Sequence, residues 1–174
     1  DEPLAQMLND ATGYPVVAAN DASLGALAES TFGSGRDVSD LIYLNGGASG
    51  IGGGVIAGGV SLAGITGYAG EFGHTLVNSA GVLCHCGAVG CLETEVSRAP
   101  LLELVGLSDA DADELELALT ASGSRAVRAE VERQLSYLAI ALRNAINVLN
   151  PRLIVLGGFL GSLYAVAPEH LDHI

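Results

Sequence analysis

The residues best suited to chemistry are one histidine and three cysteines close together in the chain. His74 is followed by Cys84, Cys86 and Cys91, which are all the cysteines of the sequence. An odd number of cysteines cannot pair completely as disulfides, and a close cluster in a cytosolic chain favours metal binding. Zinc prefers four soft or borderline ligands, and one His with three Cys is a common structural set. The spacing therefore predicts a structural zinc site with all four positions filled by protein.

Glycines inside this run support the interpretation. Gly81, Gly87 and Gly90 let the backbone fold back, so that neighbours in sequence can converge on one ion. His85 is the rival nitrogen ligand. It lies between two predicted ligands, and adjacent side chains point away from each other, which favours His74. The alternative is that the cysteines are simply buried.

A second group of candidate residues carries carboxylates and an amide. Asn20 and Asp21 directly follow residues 15–19, an apolar run predicted to be a strand, and α/β proteins place ligand groups at strand ends. An Asp there could act as general base toward a sugar hydroxyl, or one of the pair could cap the following helix. Glu71 and Glu93 flank the cysteine run and could bind vicinal hydroxyls, although each alone could be a solvated surface acid.

A glycine-rich segment, residues 48–54, lies between predicted strands at 41–44 and 55–57. Its bare backbone could cradle a phosphate. The residues considered for this role are Ser49, Gly50, Gly52 and Gly53. The segment lacks the Gly-Lys-Ser/Thr of a Walker A loop, and a Rossmann loop would be followed by a helix. The alternative is a glycine-rich hairpin built for close packing.

Net charge argues against nucleic acid as a direct partner. The 174 residues carry a formal charge of −13, and all seven basic residues are arginine. A nucleic-acid-binding face shows as clustered positive charge, whereas these arginines are scattered. We therefore expect no DNA contact by this chain itself.

Membrane segments and targeting signals are not indicated. The most apolar stretches, residues 46–64 and 135–149, are broken by Gly, Asn or Arg and do not reach transmembrane length. The first three residues lack the basic and apolar pattern of a signal peptide. We expect a cytoplasmic protein without membrane contact. The sequence begins without Met, so we also expect it to be a piece of a longer protein.

Periodicity predicts an α/β fold in which strands alternate with helices. Helices are predicted over 4–12, 22–32, 101–107, 110–121 and 125–149, with another after 158. Strands are predicted over 15–19, 41–44, 55–57, 60–62 and 153–156. The polar segment 33–40 is the expected boundary between two lobes. The second half of the helix over 125–149 is apolar nearly all round, so we expect it in the core or in a dimer interface.

Taken together, several motifs resemble the ROK family of repressors, uncharacterised reading frames and sugar kinases. Their order and spacing match over residues 15–160, and the Gly-Glu-x-Gly-His and Cys-x-Cys-Gly-x-x-Gly-Cys pair is the most specific part. The matching segments are 17–22, 49–54, 70–74, 84–93 and 150–158.

The resemblance implies an actin-like ATPase (ribonuclease-H-like) fold, mainly its C-terminal lobe. Residues 1–37 would be the end of the N-terminal lobe, and residues 38–174 the C-terminal lobe, with the zinc loop at 74–91. The residues that match sugar contacts of the family are Asn20, Asp21, Glu71, His74 and Glu93. Asp21 matches the catalytic base of the kinases, and His74 matches a residue that both ligates zinc and contacts sugar.

Departures from the family pattern bear on activity. This sequence contains neither the Asp-x-Gly-Gly-Thr phosphate loop of the kinases nor the helix-turn-helix of the repressors, so we expect no phosphorylation by this chain alone. Residues 45–48 depart from the usual Leu-Gly-Thr-Gly of kinases, although Ser49 replaces a usual Thr. We favour a sugar-sensing domain of a regulator. The alternatives are the C-terminal lobe of an ATP-dependent sugar kinase, or a sugar-binding or assembly domain with neither activity.

The resemblance also predicts partners. We expect a small-molecule sugar or amino sugar as ligand, structural zinc, and ATP only if the parent protein is a kinase. DNA contact would come through a helix-turn-helix outside this sequence, and the protein would be a homodimer or tetramer.

Overall fold

The computed structural model describes residues 3–174, so the first two residues of the predicted segment 1–37 lie outside it. The helices are α1 (Leu4–Thr12), α2 (Asp21–Phe32), α3 (Leu92–Glu95), α4 (Arg98–Val105), α5 (Ala112–Ala121), α6 (Arg125–Leu149) and α7 (Phe159–Val166). The strands are β1 (Leu41–Gly46), β2 (Ile51–Ala57), β3 (Val60–Ser61) and β4 (Leu153–Gly158). Short 3-10 turns cover Phe72–His74 and Pro168–His170. None of the helices in this part of the chain is long and apolar enough to cross a membrane.

The four strands form one mixed sheet in the order β3-β2-β1-β4. β1 is antiparallel to β2 and parallel to β4, and its last residue, Gly46, pairs with Gly158 at the end of β4. Gly58 and Gly59 both have positive φ, and they turn the chain from β2 into β3 as the hairpin pattern predicted. Because β1 and β4 are parallel, their carboxyl ends lie side by side.

Both faces of this sheet are covered. On one face α2 packs against β1 and β2, and its Ala26 is buried beside Leu41 and Ile56. On the other face Ile42 and Leu44 belong to the main core, whose helical members come chiefly from α3 to α7. Alternate residues of β1 thus point to opposite layers, which is the period of a strand. Because α2 lies directly on the sheet, a lobe boundary at residues 37 and 38 stays a prediction.

The longest helix follows its sequence pattern closely. α6 covers the predicted range 125–149, and its apolar positions at a spacing of three or four residues are buried, as Leu135 and Leu138 show. It ends at Leu149, and the next residue, Asn150, caps it in the left-handed conformation before Pro151. Its second half contributes to the core, although Val148 near its end is 80% exposed.

Two predicted elements were wrong. Residues 15–19 form no strand: within 3–174 no other segment pairs with them, and Val17 is 91% exposed. An isolated strand has no partner for its backbone hydrogen bonds. β2 begins at Ile51, so residues 52–54 belong to a strand and not to a loop. The helix predicted over 110–121 is confirmed as α5, but it begins two residues later, at Ala112, because Asp111 forms a capping box with Glu114.

Candidate functional site

The segment 74–91, called the cysteine loop here, folds back on itself through backbone hydrogen bonds. The amides of Val77 and Asn78 both donate to the carbonyl of Gly90, at 2.9 and 3.2 Å. The amide of Cys84 donates to the carbonyl of Ala88 at 2.7 Å. Gly90 has a φ of 74°, and a Cβ there would overlap the Asn78 carbonyl oxygen. The close return of the chain therefore requires glycine at this position.

This loop brings the four predicted metal ligands together. The Nδ1 or Nε2 atom of His74 and the Sγ atoms of Cys84, Cys86 and Cys91 all lie within 4.8 Å of one another. His74 Nδ1 is 3.7 Å from Cys84 Sγ, and the sulfurs of Cys86 and Cys91 are 3.6 Å apart. Cys84 and Cys91 are buried, whereas Cys86 is exposed. The four side chains could hold one metal ion.

Glu93 connects the cysteine loop to the start of β2. Its Oε1 lies 3.0 Å from Cys84 Sγ, 3.5 Å from His74 Nδ1 and 3.0 Å from His85 Nδ1. Its Oε2 would be 2.6 Å from a Cβ placed on Gly50. The side chain is only 10% exposed. His74, His85 and Glu93 therefore form a second cluster of potential ligand atoms that shares His74 with the first.

The acidity of the thiols reflects this crowding. A hydrogen bond from the Cys86 backbone lowers the pKa of the Cys84 thiol, but the Glu93 carboxylate, burial and the two other thiols raise the pKa to about 12. Burial raises the pKa of Cys91, whereas a hydrogen bond from the Ala88 backbone lowers the pKa of the exposed Cys86. Without a cation, Cys84 and Cys91 carry their protons at neutral pH. A metal ion would have to displace these protons on binding.

Residues 47–50, called the glycine turn here, separate β1 from β2. The Gly47 amide donates to the Gly50 carbonyl at 2.9 Å, and Ser49 is exposed. Gly52 and Gly53 lie in β2 instead. A Cβ on Gly52 would be 2.9 Å from the Cβ of Ala22, and one on Gly53 would be 2.5 Å from the carbonyl oxygen of Gly70. Gly52 and Gly53 therefore pack closely, as the alternative predicted, and a phosphate contact by Ser49, Gly50, Gly52 and Gly53 stays a prediction.

Two small cavities open beside the glycine turn. One of about 250 Å³ is lined on its far side by His85, Glu93 and Arg98, and one of about 180 Å³ by Asp111 and Gly158. Residues shared by both cavities are Gly47, Ala48, Arg98 and Phe159. The site therefore extends from the cysteine loop to the carboxyl ends of β1 and β4.

Sequence reasoning did not single out Arg98 or Phe159, which line both cavities. Arg98 donates to the Ala110 carbonyl at 3.0 Å and forms an ion pair with Asp109, which fixes its guanidinium beside the glycine turn. Phe159 is buried next to Gly46. No local pattern marks either residue, because each reaches the site only through the packing of distant segments. His85 was visible in the motif, but it was considered only as a metal ligand.

The other predicted sugar contacts, Asn20, Asp21 and Glu71, are not joined to Glu93 by side-chain hydrogen bonds within residues 3–174. Asn20 caps α2: its side-chain oxygen accepts a hydrogen bond from the Ser23 amide at 3.0 Å, as the capping alternative predicted. Asp21 is exposed at the first turn of α2, and its Oδ1 would be 4.0 Å from a Cβ on Gly52. Glu71 is exposed.

Comparison with known proteins places this geometry in context. The ROK family model matches residues 1–172. The xylose repressor of Caldicellulosiruptor bescii is 33% identical over 180 residues, covering 93% of this chain and 45% of that protein. The glucokinase of Halalkalibacterium halodurans is 35% identical over 175 residues, covering 91% of this chain and 53% of that protein. The chain thus spans about half the length of these curated relatives.

A solved structure supports the same assignment. The crystal structure of a ROK family glucokinase from Streptomyces griseus, in complex with glucose and AMPPNP, matches with a TM-score of 0.79 and 28% identity. The match covers 98% of this chain and 63% of that one. The predicted α/β, actin-like ATPase (ribonuclease-H-like) fold is confirmed. On sequence and on structure alike, the chain belongs to the ROK family.

Proposed function

We propose that this chain is the zinc-stabilised, sugar-sensing effector-binding domain of a ROK-type transcriptional regulator. The observation that carries the proposal is the meeting of Glu93 and His74 at the cysteine loop. The partly buried carboxylate of Glu93 faces both a cluster of potential metal ligands and the cavity at the glycine turn. In this proposal, residues 38–174 are the C-terminal lobe and residues 1–37 the end of the N-terminal lobe.

The donor set fits zinc in chemistry and in spacing. With Zn–S bonds of about 2.3 Å and Zn–N bonds of about 2.0–2.1 Å, a tetrahedral site separates two sulfurs by about 3.8 Å and a sulfur from a nitrogen by about 3.6 Å. The observed separations are 3.6 Å between Cys86 and Cys91 and 3.7 Å between His74 and Cys84. A set of one His and three Cys leaves no open position, so the ion would be structural. It would stabilise the loop that carries His74 and positions Glu93.

The ligand proposal rests on Glu93, which lines the cavity, and on His74, which lies beside Glu93. Carboxylate and imidazole side chains accept and donate hydrogen bonds, which suits the vicinal hydroxyls of a sugar. Glu93 and His74 would supply the contacts nearest the ion. The other proposed contacts are Asn20, Asp21 and Glu71. The glucose-bound relative supports a sugar or amino sugar as the class of ligand.

The regulator is favoured over the kinase by the glycine turn. Residues 45–48 depart from the kinase pattern, and the Gly47 amide is already bonded within the turn. Glu93 also closes over Gly50, so a phosphate bound there would meet a negative charge. A bound sugar would change the relative angle of two lobes through its differential affinity for the two arrangements. DNA would then be contacted through a helix-turn-helix outside this sequence, in a homodimer or tetramer.

The sugar site is tested by Glu93→Gln. We expect the zinc-loaded chain to bind a sugar, and the substitution to weaken binding about 10- to 100-fold, because hydrogen bonds to charged groups are worth about 1.5–3 kcal/mol. Titration calorimetry with xylose, glucose and an N-acetylated amino sugar measures this. Glu103→Gln on the exposed side of α4 is the matched control and should leave affinity unchanged. Equal affinities for the wild type and Glu93→Gln would contradict the proposed site.

The C-terminal lobe of an ATP-dependent sugar kinase is the second candidate, favoured by the 35% identity to a glucokinase. Asp21 discriminates the two, because it would be the catalytic base only in a kinase. If the protein is a regulator, we expect Asp21→Asn to weaken sugar binding only a few-fold. Neither the wild type nor the variant would then consume ATP. A coupled assay of ADP release with the full-length protein measures this. Sugar-dependent ADP release by the wild type that Asp21→Asn abolishes would identify the kinase.

A further inference from the structure

One polar stripe on α6 faces the segment that follows the cysteine loop. Its members are spaced at i, i+3, i+4 and i+7, which places them on one side of a helix. They are Glu130, Arg133, Gln134 and Tyr137. Among the buried residues of α6 all but Gln134 are apolar, whereas Glu130 and Tyr137 are partly buried and Arg133 is exposed.

Arg133 binds the end of α3. Its guanidinium donates to the carbonyl oxygen of Glu95 at 2.9 Å and to the carboxylate of Glu95 at 3.4 Å. It also forms two hydrogen bonds with Glu130, at 2.8 and 2.9 Å, which fix the direction of the guanidinium. Glu95 is 7% exposed, and its carboxylate lies directly against Gly81 of the cysteine loop. The positive charge of Arg133 therefore balances the negative charge of Glu95, whose carboxylate packs against the cysteine loop.

Gln134 adds a second attachment to the same segment. The side chain is completely buried. Its oxygen accepts from the Ser97 amide at 3.1 Å, and its nitrogen donates to the Ser97 carbonyl at 2.9 Å. The nitrogen also donates to Glu130 at 2.8 Å. A buried amide with each of these groups paired fixes the backbone at Ser97, next to Arg98 of the cavity.

Tyr137 reaches the other end of the loop. Its hydroxyl accepts a hydrogen bond from the side chain of Asn78 at 3.1 Å, and the Arg133 guanidinium lies 5.6 Å from its ring centroid. The Asn78 backbone is bonded to Gly90, immediately before Cys91. The stripe on α6 thus contacts Asn78 near the start of the cysteine loop and Glu95 just after its end.

We infer that Arg133 and Tyr137 are positioning residues for the metal and ligand site, although neither contacts the ligand. The inference rests on the proposed zinc function. Glu93 lies on α3 between Cys91, a predicted zinc ligand, and Glu95, the residue that Arg133 binds. A shift of this short helix moves a ligand of the metal and the carboxylate of the sugar site together. The stripe therefore sets how tightly zinc is held and where Glu93 points.

Zinc affinity tests the inference. Partners that hydrogen-bond a metal ligand directly typically contribute 10- to 100-fold to metal affinity. Arg133 acts through Glu95 and contacts no predicted ligand, so we expect Arg133→Met to weaken zinc binding to the 174-residue chain by the lower figure, about tenfold. Tyr137→Phe should have a smaller effect, since it removes only one hydroxyl. Arg133→Lys should recover part of the loss, because lysine keeps the charge but not the paired hydrogen bonds. Competition with a chromophoric chelator measures these affinities.

Two controls separate positioning from general stability. Arg143→Met changes an exposed arginine on the same helix that forms no ion pair within residues 3–174, and should leave zinc affinity unchanged. Val131→Ala lowers core packing and melting temperature, but should also leave zinc affinity unchanged. Equal zinc affinity in Arg133→Met and the wild type would overturn the inference alone, as would a matching loss in Val131→Ala. A wild type that binds no zinc would overturn the zinc site and this inference with it.

Discussion

Cys86→Ser is expected to abolish zinc binding by the chain and to weaken sugar binding with it. The substitution removes one of four thiolate or imidazole ligands, and the remaining three cannot close a tetrahedral structural site. At free zinc 100 times above its dissociation constant, binding stabilises the fold by about 2.7 kcal/mol. Losing that stabilisation lowers the melting temperature by about 5–11 °C for a domain of this size. Metal analysis by mass spectrometry and thermal scans with and without chelator measure both effects.

The two neighbouring histidines provide the matched comparison for this experiment. His74→Ala should lose zinc as Cys86→Ser does, whereas His85→Ala should keep one zinc per chain, because His85 lies with Glu93 and outside the four-ligand group. Zinc retained at full stoichiometry in Cys86→Ser would show that the ligand set is wrong. Zinc lost from His85→Ala but kept by His74→Ala would move the nitrogen ligand to His85.

Gly90→Ala is expected to disrupt the cysteine loop and to lose zinc. The residue has a φ of 74°, which costs an ordinary side chain about 1–2 kcal/mol, and its Cβ would overlap the carbonyl oxygen of Asn78. The backbone cannot relax without breaking the hydrogen bonds of Val77 and Asn78 to Gly90, so we expect a total above about 4 kcal/mol. Chemical denaturation measures the free energy of unfolding, and metal analysis measures the zinc.

Gly87→Ala is the control within the same loop. Gly87 also has a positive φ, of 92°, but a Cβ there would meet no atom within 4 Å. Only the backbone strain of about 1–2 kcal/mol remains, and zinc should stay bound. If Gly87→Ala and Gly90→Ala were destabilised equally, steric overlap at Gly90 would not be the reason for its glycine.

Elements with a strong local period could be predicted from sequence. α6 shows the spacing of three and four residues over 25 positions, and its observed bounds match the predicted ones. α1 ends before Gly13, which adopts the left-handed conformation that glycine favours after a helix. The hairpin at Gly58 and Gly59 could be predicted because two glycines, which readily adopt positive φ, lie between two short apolar runs. In each case the signal lies within the element or directly beside it.

The errors arose where a partner decides the structure. Residues 15–19 have the composition of a strand, but strand formation requires a neighbour, and composition does not provide one. Gly54 looked like part of a loop because glycine weakens strands. In the structure α2 packs so closely on β2 that a Cβ on Gly54 would lie 2.6 Å from Ala26. The need for glycine there depends on a helix nearly thirty residues away.

The candidate site likewise has a part that lies within one sequence motif and a part that depends on packing between distant segments. The four potential metal ligands could be found because they fall within one short motif, residues 74–91. The attachment of Arg133 to Glu95 could not, because those residues lie far apart in sequence and pair only after α6 packs on α3. Gln134 was nevertheless a signal, because it falls among the apolar positions Val131, Leu135 and Leu138 on one side of the helix. A polar residue at such a position indicates a buried polar contact without naming the partner.

The parallel pairing of β1 with β4 has a consequence for the order of folding. Leu41 and its partner Leu153 are separated by more than a hundred residues, whereas the cysteine loop joins residues that are fewer than twenty apart. Closing a long segment costs chain entropy before the new contacts repay it, so local structures form sooner. If the loop binds zinc as proposed, it would be able to capture the ion before the sheet is complete. Zinc supply during synthesis would then affect how much of the protein reaches the native state, in addition to how long it stays there.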